Sequence, residues 1–134
     1  MSYSLYLIRF SGGDAVAMDE RRFEKLIGPH VVRYNSAHGL FELCTDDGDR
    51  ADVYARPASE FELMGITVAR LPGVAFLDLV AQLALQLDAT IVLPEGDALI
   101  MRAEQQRQLP ADLTANVVVI EPTGAAILSA ISGA

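Results

Sequence analysis

The sequence predicts an α+β fold, a single mixed and mainly antiparallel sheet with two or three helices packed on one face, formed by residues 1–134 as one domain. Three observations lead there. Short apolar runs with strand-like alternation recur between strong turn signals. Only two stretches carry clear helical periodicity, with a third apolar segment at the C-terminal end. The resulting order, β-α-β-β-β-β-α-β, lacks the strict alternation that a parallel βαβ sheet requires.

Residues 4–10 are apolar apart from Arg9 and rich in Leu, Ile and aromatics, the mark of an interior strand, and Ser11-Gly12-Gly13-Asp14 ends it. Asp19 is placed to cap a short amphipathic helix over 19–27, with Phe23, Leu26 and Ile27 at i, i+3 and i+4 and Gly28-Pro29 as the stop. Strands follow at 30–34, 40–45 and 52–56. Ser36-Ala37-His38-Gly39 separates the first pair and Asp46-Asp47-Gly48-Asp49 the second, where Gly can take positive φ and Asp can bond its own backbone. In the third strand Asp52, Tyr54 and Arg56 share one face, with Val53 and Ala55 on the other. Pro57-Ala58-Ser59 breaks it before a longer strand over Phe61–Arg70.

Leu71-Pro72-Gly73 opens the strongest helix, over about 75–87, in which Phe76, Leu79, Val80, Leu83, Ala84 and Leu87 form one apolar face. Leu77 and Leu85 widen that arc enough to meet more than one neighbour. A short strand over 90–93 closes at the turn Pro94-Glu95-Gly96-Asp97. Residues 98–108 read as a strand running into a short helix, Val117–Ile120 as a last strand, and Ala125–Ile131 as a small apolar helix.

Composition bounds what the chain does. At 134 residues a domain buries roughly two-thirds of its unfolded surface, so it needs neither disulfide nor metal to fold. Cys44 is the only cysteine, which fits a reducing compartment. The first ten residues have neither a basic n-region nor a small-residue cleavage site, and the apolar stretch 74–87 is too short to span a bilayer. The expected location is cytoplasmic. Net charge is −8, and residues 42–62 hold seven acids against Arg50 and Arg56. Such a field repels phosphate backbones, so direct nucleic-acid binding is disfavoured.

No pattern amounts to a catalytic, metal or cofactor signature. The Asp46–Asp49 cluster lacks the alternating carboxylates and closing Glu of a calcium loop. His30, His38 and Cys44 match no zinc spacing. Cys44 has Glu42 and Asp46 two residues to either side, which oppose thiolate formation. Ser11-Gly12-Gly13 lacks the spacing of a phosphate loop. No cofactor is expected. What remains is an acidic surface: Glu42, Asp46, Asp47, Asp49, Asp52, Glu60 and Glu62 are the expected partner-binding residues, placed to meet a basic protein.

One resemblance bears on the partner. The run Gly73-Val74-Ala75-Phe76-Leu77-Asp78-Leu79-Val80-Ala81-Gln82-Leu83-Ala84, then Asp88-Ala89-Thr90-Ile91-Val92-Leu93-Pro94-Glu95-Gly96 and Leu109-Pro110-Ala111-Asp112-Leu113, resembles small uncharacterised bacterial proteins. Some of these are regarded as immunity partners of polymorphic or contact-dependent toxins. The resemblance covers about a quarter of the chain and brings no catalytic residues with it. It implies a non-enzymatic protein that binds and blocks a cognate toxin, such as a basic nuclease. Two other classes fit the same chain: a small enzyme whose site is assembled from dispersed carboxylates and histidines, and a homo-oligomer joined through Ala125–Ile131.

Overall fold

The computed structural model describes residues 4–57, 62–69 and 73–132. The expected break at Ala58-Ser59, the strand ends at Phe61 and Arg70, and the Leu71-Pro72 approach to the long helix lie outside these residues.

Among the described residues ten strands form one sheet in the order β10-β9-β8-β1-β7-β6-β5-β4, with β2 paired to β1 and β3 to β7. The strands are β1 Ser4–Ser11, β2 Asp14–Val16, β3 Met18–Asp19, β4 Val31–Asn35, β5 Leu40–Cys44, β6 Arg50–Pro57, β7 Glu62–Ala69, β8 Thr90–Val92, β9 Ala98–Ile100 and β10 Val117–Val119. Every pairing is antiparallel except β9 with β10. A parallel pair needs a crossover rather than a tight turn. Two 3-10 segments, Ala103–Gln108 and Ala111–Asn116, supply it.

The predicted turns close the hairpins. Gly12 and Gly13 take φ of +59° and +88° between β1 and β2, and Gly96 takes +101° between β8 and β9. At the β5–β6 connection, Gly48 N–H donates to the Thr45 carbonyl at 3.0 Å and Thr45 N–H to the Asp49 carbonyl at 2.8 Å.

The helices α1 Glu20–Ile27, α2 Val74–Gln86 and α3 Gly124–Ser132 build the other layer. The Asp19 carboxylate accepts the Arg22 N–H at 3.1 Å, the N-cap bond that the sequence predicts. α1 buries Phe23 and Ile27, and α2 buries Phe76, Leu77, Val80, Ala81, Leu83 and Ala84. These join Leu5, Leu7, Val53, Ile66 and Val68 from alternate positions of the central strands in one core. The breadth of α2's apolar arc has a structural reason: one side meets the sheet and the other meets α3, whose Ile127 enters the same core. Ala125–Ile131, the candidate oligomer surface, therefore packs Ile127, Leu128 and Ile131 inward.

A second, smaller cluster lies across the sheet at its β8–β10 end. Ala98 and Ile100, which flank the core residue Leu99, are covered with Leu109 by Phe10, Leu113 and Val117. The 3-10 segments are thus the lid on that part of the reverse face. The reverse face of β1, β7, β6 and β5 carries a cross-strand row Tyr6–Thr67–Tyr54–Leu40, with Tyr6 and Tyr54 exposed.

The short strands β2 and β3 escape the sequence reading because runs of three and two residues carry no periodicity. Among the described residues no helix is long and apolar enough to cross a membrane.

Candidate functional site

The acidic stretch folds as the β5–β6 hairpin, and the register decides where each carboxylate goes. Glu42 stands directly opposite Asp52 and, on its other side, opposite Arg33 of β4. Arg33 Nε lies 3.7 Å from Glu42 Oε2, with the two side chains 77% and 41% exposed. A pair that open to water contributes little stability, so its main effect is to set the charge pattern of the surface. Asp46 and Asp47 are exposed at the hairpin tip, where Asp47 Oδ1 accepts the Thr45 hydroxyl at 2.7 Å. Glu60 and the Glu62 side chain lie outside the described residues.

Asp49 is engaged differently from its neighbours. Its Oδ2 accepts the Phe76 N–H at 3.3 Å, the third amide of α2. The helix's own N-cap is Gly73, which has no side chain to offer. A Cβ at Gly73 would strike the Asp49 carboxylate, with Oδ1 only 2.6 Å away. Asp49 therefore caps α2 across the fold, and its negative charge opposes the positive end of the helix. Asp49→Ala should cost about 1 kcal/mol, the usual loss for a helix cap, read as a lower urea midpoint at unchanged slope. Asp46→Ala, two residues beyond the last strand position, should leave the midpoint within error.

β4 closes one end of the sheet and, among the described residues, pairs only with β5. All five of its residues are exposed, including the apolar Val31, Val32 and Tyr34. A register shift between Val31 and Arg33 turns Val32 outward, to 60% exposure. Tyr34 stacks on Phe41 with ring centroids 4.4 Å apart, and Phe41 meets Phe23 of α1 edge-on at 5.6 Å. An aromatic run thus leads from the core to the sheet edge.

A cavity of about 680 Å³ opens beside this run, at the end of the sheet marked by the Ser36–Gly39 turn. Glu20, Phe23 and Glu24 line it from α1, Tyr34, His38 and Phe41 from the β4–β5 hairpin, and Tyr6, Tyr54 and Thr67 from the reverse face. Gly39 shapes its rim with φ +62°, its carbonyl accepting the Ala55 N–H at 3.0 Å. Glu20 Oε2 is shielded from solvent and has no hydrogen-bond partner among the described residues. Burial holds the Glu20 carboxyl above its ordinary pKa, and the charge of Glu24 one turn away pushes in the same direction.

The histidines and the cysteine do not assemble. His30 ends the 3-10 turn Gly28–His30 with a shielded Nδ1 that has no partner among the described residues, while His38 is exposed in its turn. Cys44 is half-buried and its thiol donates to the Thr45 carbonyl at 3.4 Å. Among the described residues no three His, Cys, Asp or Glu side chains converge as metal ligands do.

Sequence reasoning identifies the acids of the hairpin but misses the cavity, because α1 supplies Glu20 while pairing between distant strands supplies Tyr6, Tyr34 and Tyr54 to its lining. The signal available was the placing of Tyr6 and Tyr54 on strand positions that alternate with core residues. No protein-family model matches the chain, and neither the curated proteins nor the solved structures yield a match.

Proposed function

We propose that this chain is a non-enzymatic protein-binding module, an immunity protein that binds a basic cognate toxin in the cytoplasm and blocks it through the β4 edge of its sheet. The observation that carries the reading is β4 itself, a terminal strand with Val31, Val32 and Tyr34 exposed together. Sheet edges invite an added strand and are ordinarily blunted by lysine, proline or burial. Here a bulge and Arg33 interrupt the edge without covering its apolar side chains. Beside it the Glu42–Asp52 pair and the Asp46-Asp47 tip give a negative field that would steer a basic partner.

The experiment starts from the gene directly upstream, expected to encode the toxin, and measures association and dissociation of the purified pair. Val32→Lys/Tyr34→Lys should weaken binding about tenfold or more, chiefly through faster dissociation, because it removes apolar contacts at the centre of the patch. Asp46→Asn/Asp47→Asn/Asp52→Asn should slow association several-fold at low salt and flatten its salt dependence, with an unchanged melting temperature. Asp49 is left intact so that loss of its helix cap does not mimic loss of binding. Wild-type kinetics from both variants would remove this face from the interface. Self-association abolished by the double lysine variant would reassign it to a homodimer.

A further inference from the structure

We infer that the cavity beside Tyr34 is a receptor for one basic side chain, an arginine, presented by the bound protein partner. Its lining combines two carboxylates, Glu20 and Glu24, with the rings of Tyr34, Phe41 and Phe23 on one face of the sheet. Among the described residues none of the lining side chains is a lysine or arginine. An anionic guest would meet two carboxylates one helical turn apart. A neutral apolar guest would cover the Glu20 and Glu24 carboxylates and give them no hydrogen bond in return. A guanidinium answers both features. Its donors reach the carboxylate in a fixed plane, and its face stacks on an aromatic ring. The outer face of Tyr34 is open for this, since the residue is 53% exposed while its inner face lies on Phe41.

The proposal rests on partner binding at β4, and the geometry ties the two together. A strand added to β4 would set one of its residues opposite Tyr34, on the same face of the sheet and about 5 Å away between Cβ atoms. That face is the one carrying Phe41 and Phe23 of α1. A side chain at that register position is therefore delivered to the cavity mouth, and one a single residue off is not. A volume of about 680 Å³ accepts a long side chain with its neighbouring backbone. The cavity would thus fix the register of the added strand as well as its charge preference.

The arginine titration uses the full chain alone, and its outcome is then set beside the toxin-binding measurements. N-acetyl-arginine methylamide and its neutral isostere, N-acetyl-citrulline methylamide, are titrated while backbone amide signals are followed by NMR. The arginine probe should give saturable shifts concentrated at Glu20, Tyr34, His38 and Gly39, and the citrulline probe at least tenfold weaker ones. Glu20→Gln should lower affinity for the arginine probe about tenfold and narrow its advantage over citrulline, with the amide spectrum otherwise kept. Tyr34→Leu should weaken both the probe and any partner strand. Absence of saturable shifts with arginine, equal response to citrulline, or full affinity in Glu20→Gln would each overturn the assignment. Binding of the arginine probe without any effect of β4 substitutions on toxin binding would keep the receptor site and sink the edge as the docking surface. Toxin binding at β4 with no arginine response would do the reverse.

Discussion

Leu83→Asp should lower the melting temperature by about 15 °C or more, or abolish the cooperative transition altogether. Leu83 is fully buried on α2, in the core that joins Leu5, Leu7 and Ile66 of the sheet to Phe76 and Val80 of the helix. The substitution removes an aliphatic side chain, which alone costs about 2–5 kcal/mol at such a site. It also puts a carboxylate where no donor waits, which adds about 1–3 kcal/mol even if the group takes up a proton to escape ionisation. Together these approach the whole stability of an ordinary domain, about 5–15 kcal/mol. For a chain of this length each kcal/mol moves the midpoint by roughly 3–5 °C. Gln82→Asp is the control, since it introduces the same carboxylate one residue away on an exposed position of the same helix. That variant should lie within about 0.5 kcal/mol of wild type, as surface changes do. Thermal and urea unfolding followed by circular dichroism give both numbers. Similar midpoints for the two variants would contradict the burial of this helix face.

Much of the fold was legible because burial imposes a local rhythm. Phe23, Leu26 and Ile27 mark the inner face of α1, and Asp19 its start, from spacing alone. The Asp46–Asp49 turn and the Pro94–Asp97 turn are written in residues that accept positive φ or bond their own backbone. What spacing does not carry is which element covers another. β4 and β5 read equally well as strands, yet only the sheet order makes one an exposed edge and the other interior. The capping of α2 by Asp49 joins residues 27 apart, so no sequence window contains both partners. Asp88 is a similar case. It holds φ +55° at the end of α2, a conformation usually left to Gly or Asn. Its carboxylate is bound by Gln105 at 3.1 Å and paired with Arg102 and Arg9 at 3.3 and 3.7 Å, from two other parts of the chain. The candidate site divides along the same line. The acids of the hairpin were visible as composition, whereas the cavity needed the helix, the edge strand and the reverse face to be brought together.

Gly124→Ala should destabilise the protein by about 1–3 kcal/mol, although the same change elsewhere in a helix would stabilise it. Alanine is normally better than glycine inside a helix by about 0.5–1 kcal/mol, because glycine loses more backbone freedom on folding. Gly124 is the first residue of α3, and it sits where α3 meets α2. A Cβ there would strike the Val74 carbonyl oxygen and lie 2.6 Å from the Asp78 nitrogen and 2.9 Å from Asp78 Oδ1. Two of those three atoms belong to the backbone of α2, which cannot swing aside as a side-chain end can. The same contact carries a hydrogen bond, the Gly124 N–H donating to Asp78 Oδ1 at 2.6 Å. Moving α3 away to admit the methyl group would stretch that bond and draw Ile127 out of the core. Two variants separate crowding from the lost bond. Asp78→Ala alone removes the acceptor and should cost about 1 kcal/mol. Asp78→Ala combined with Gly124→Ala should be no more stable than Gly124→Ala, because the backbone collision persists when the carboxylate is gone. Ser129→Ala, at an exposed position further along α3, should be neutral or slightly stabilising. Urea unfolding gives the energies, and faster amide exchange confined to α3 would locate the damage there. A Gly124→Ala protein as stable as wild type would mean that the two helices do not approach this closely at residue 124.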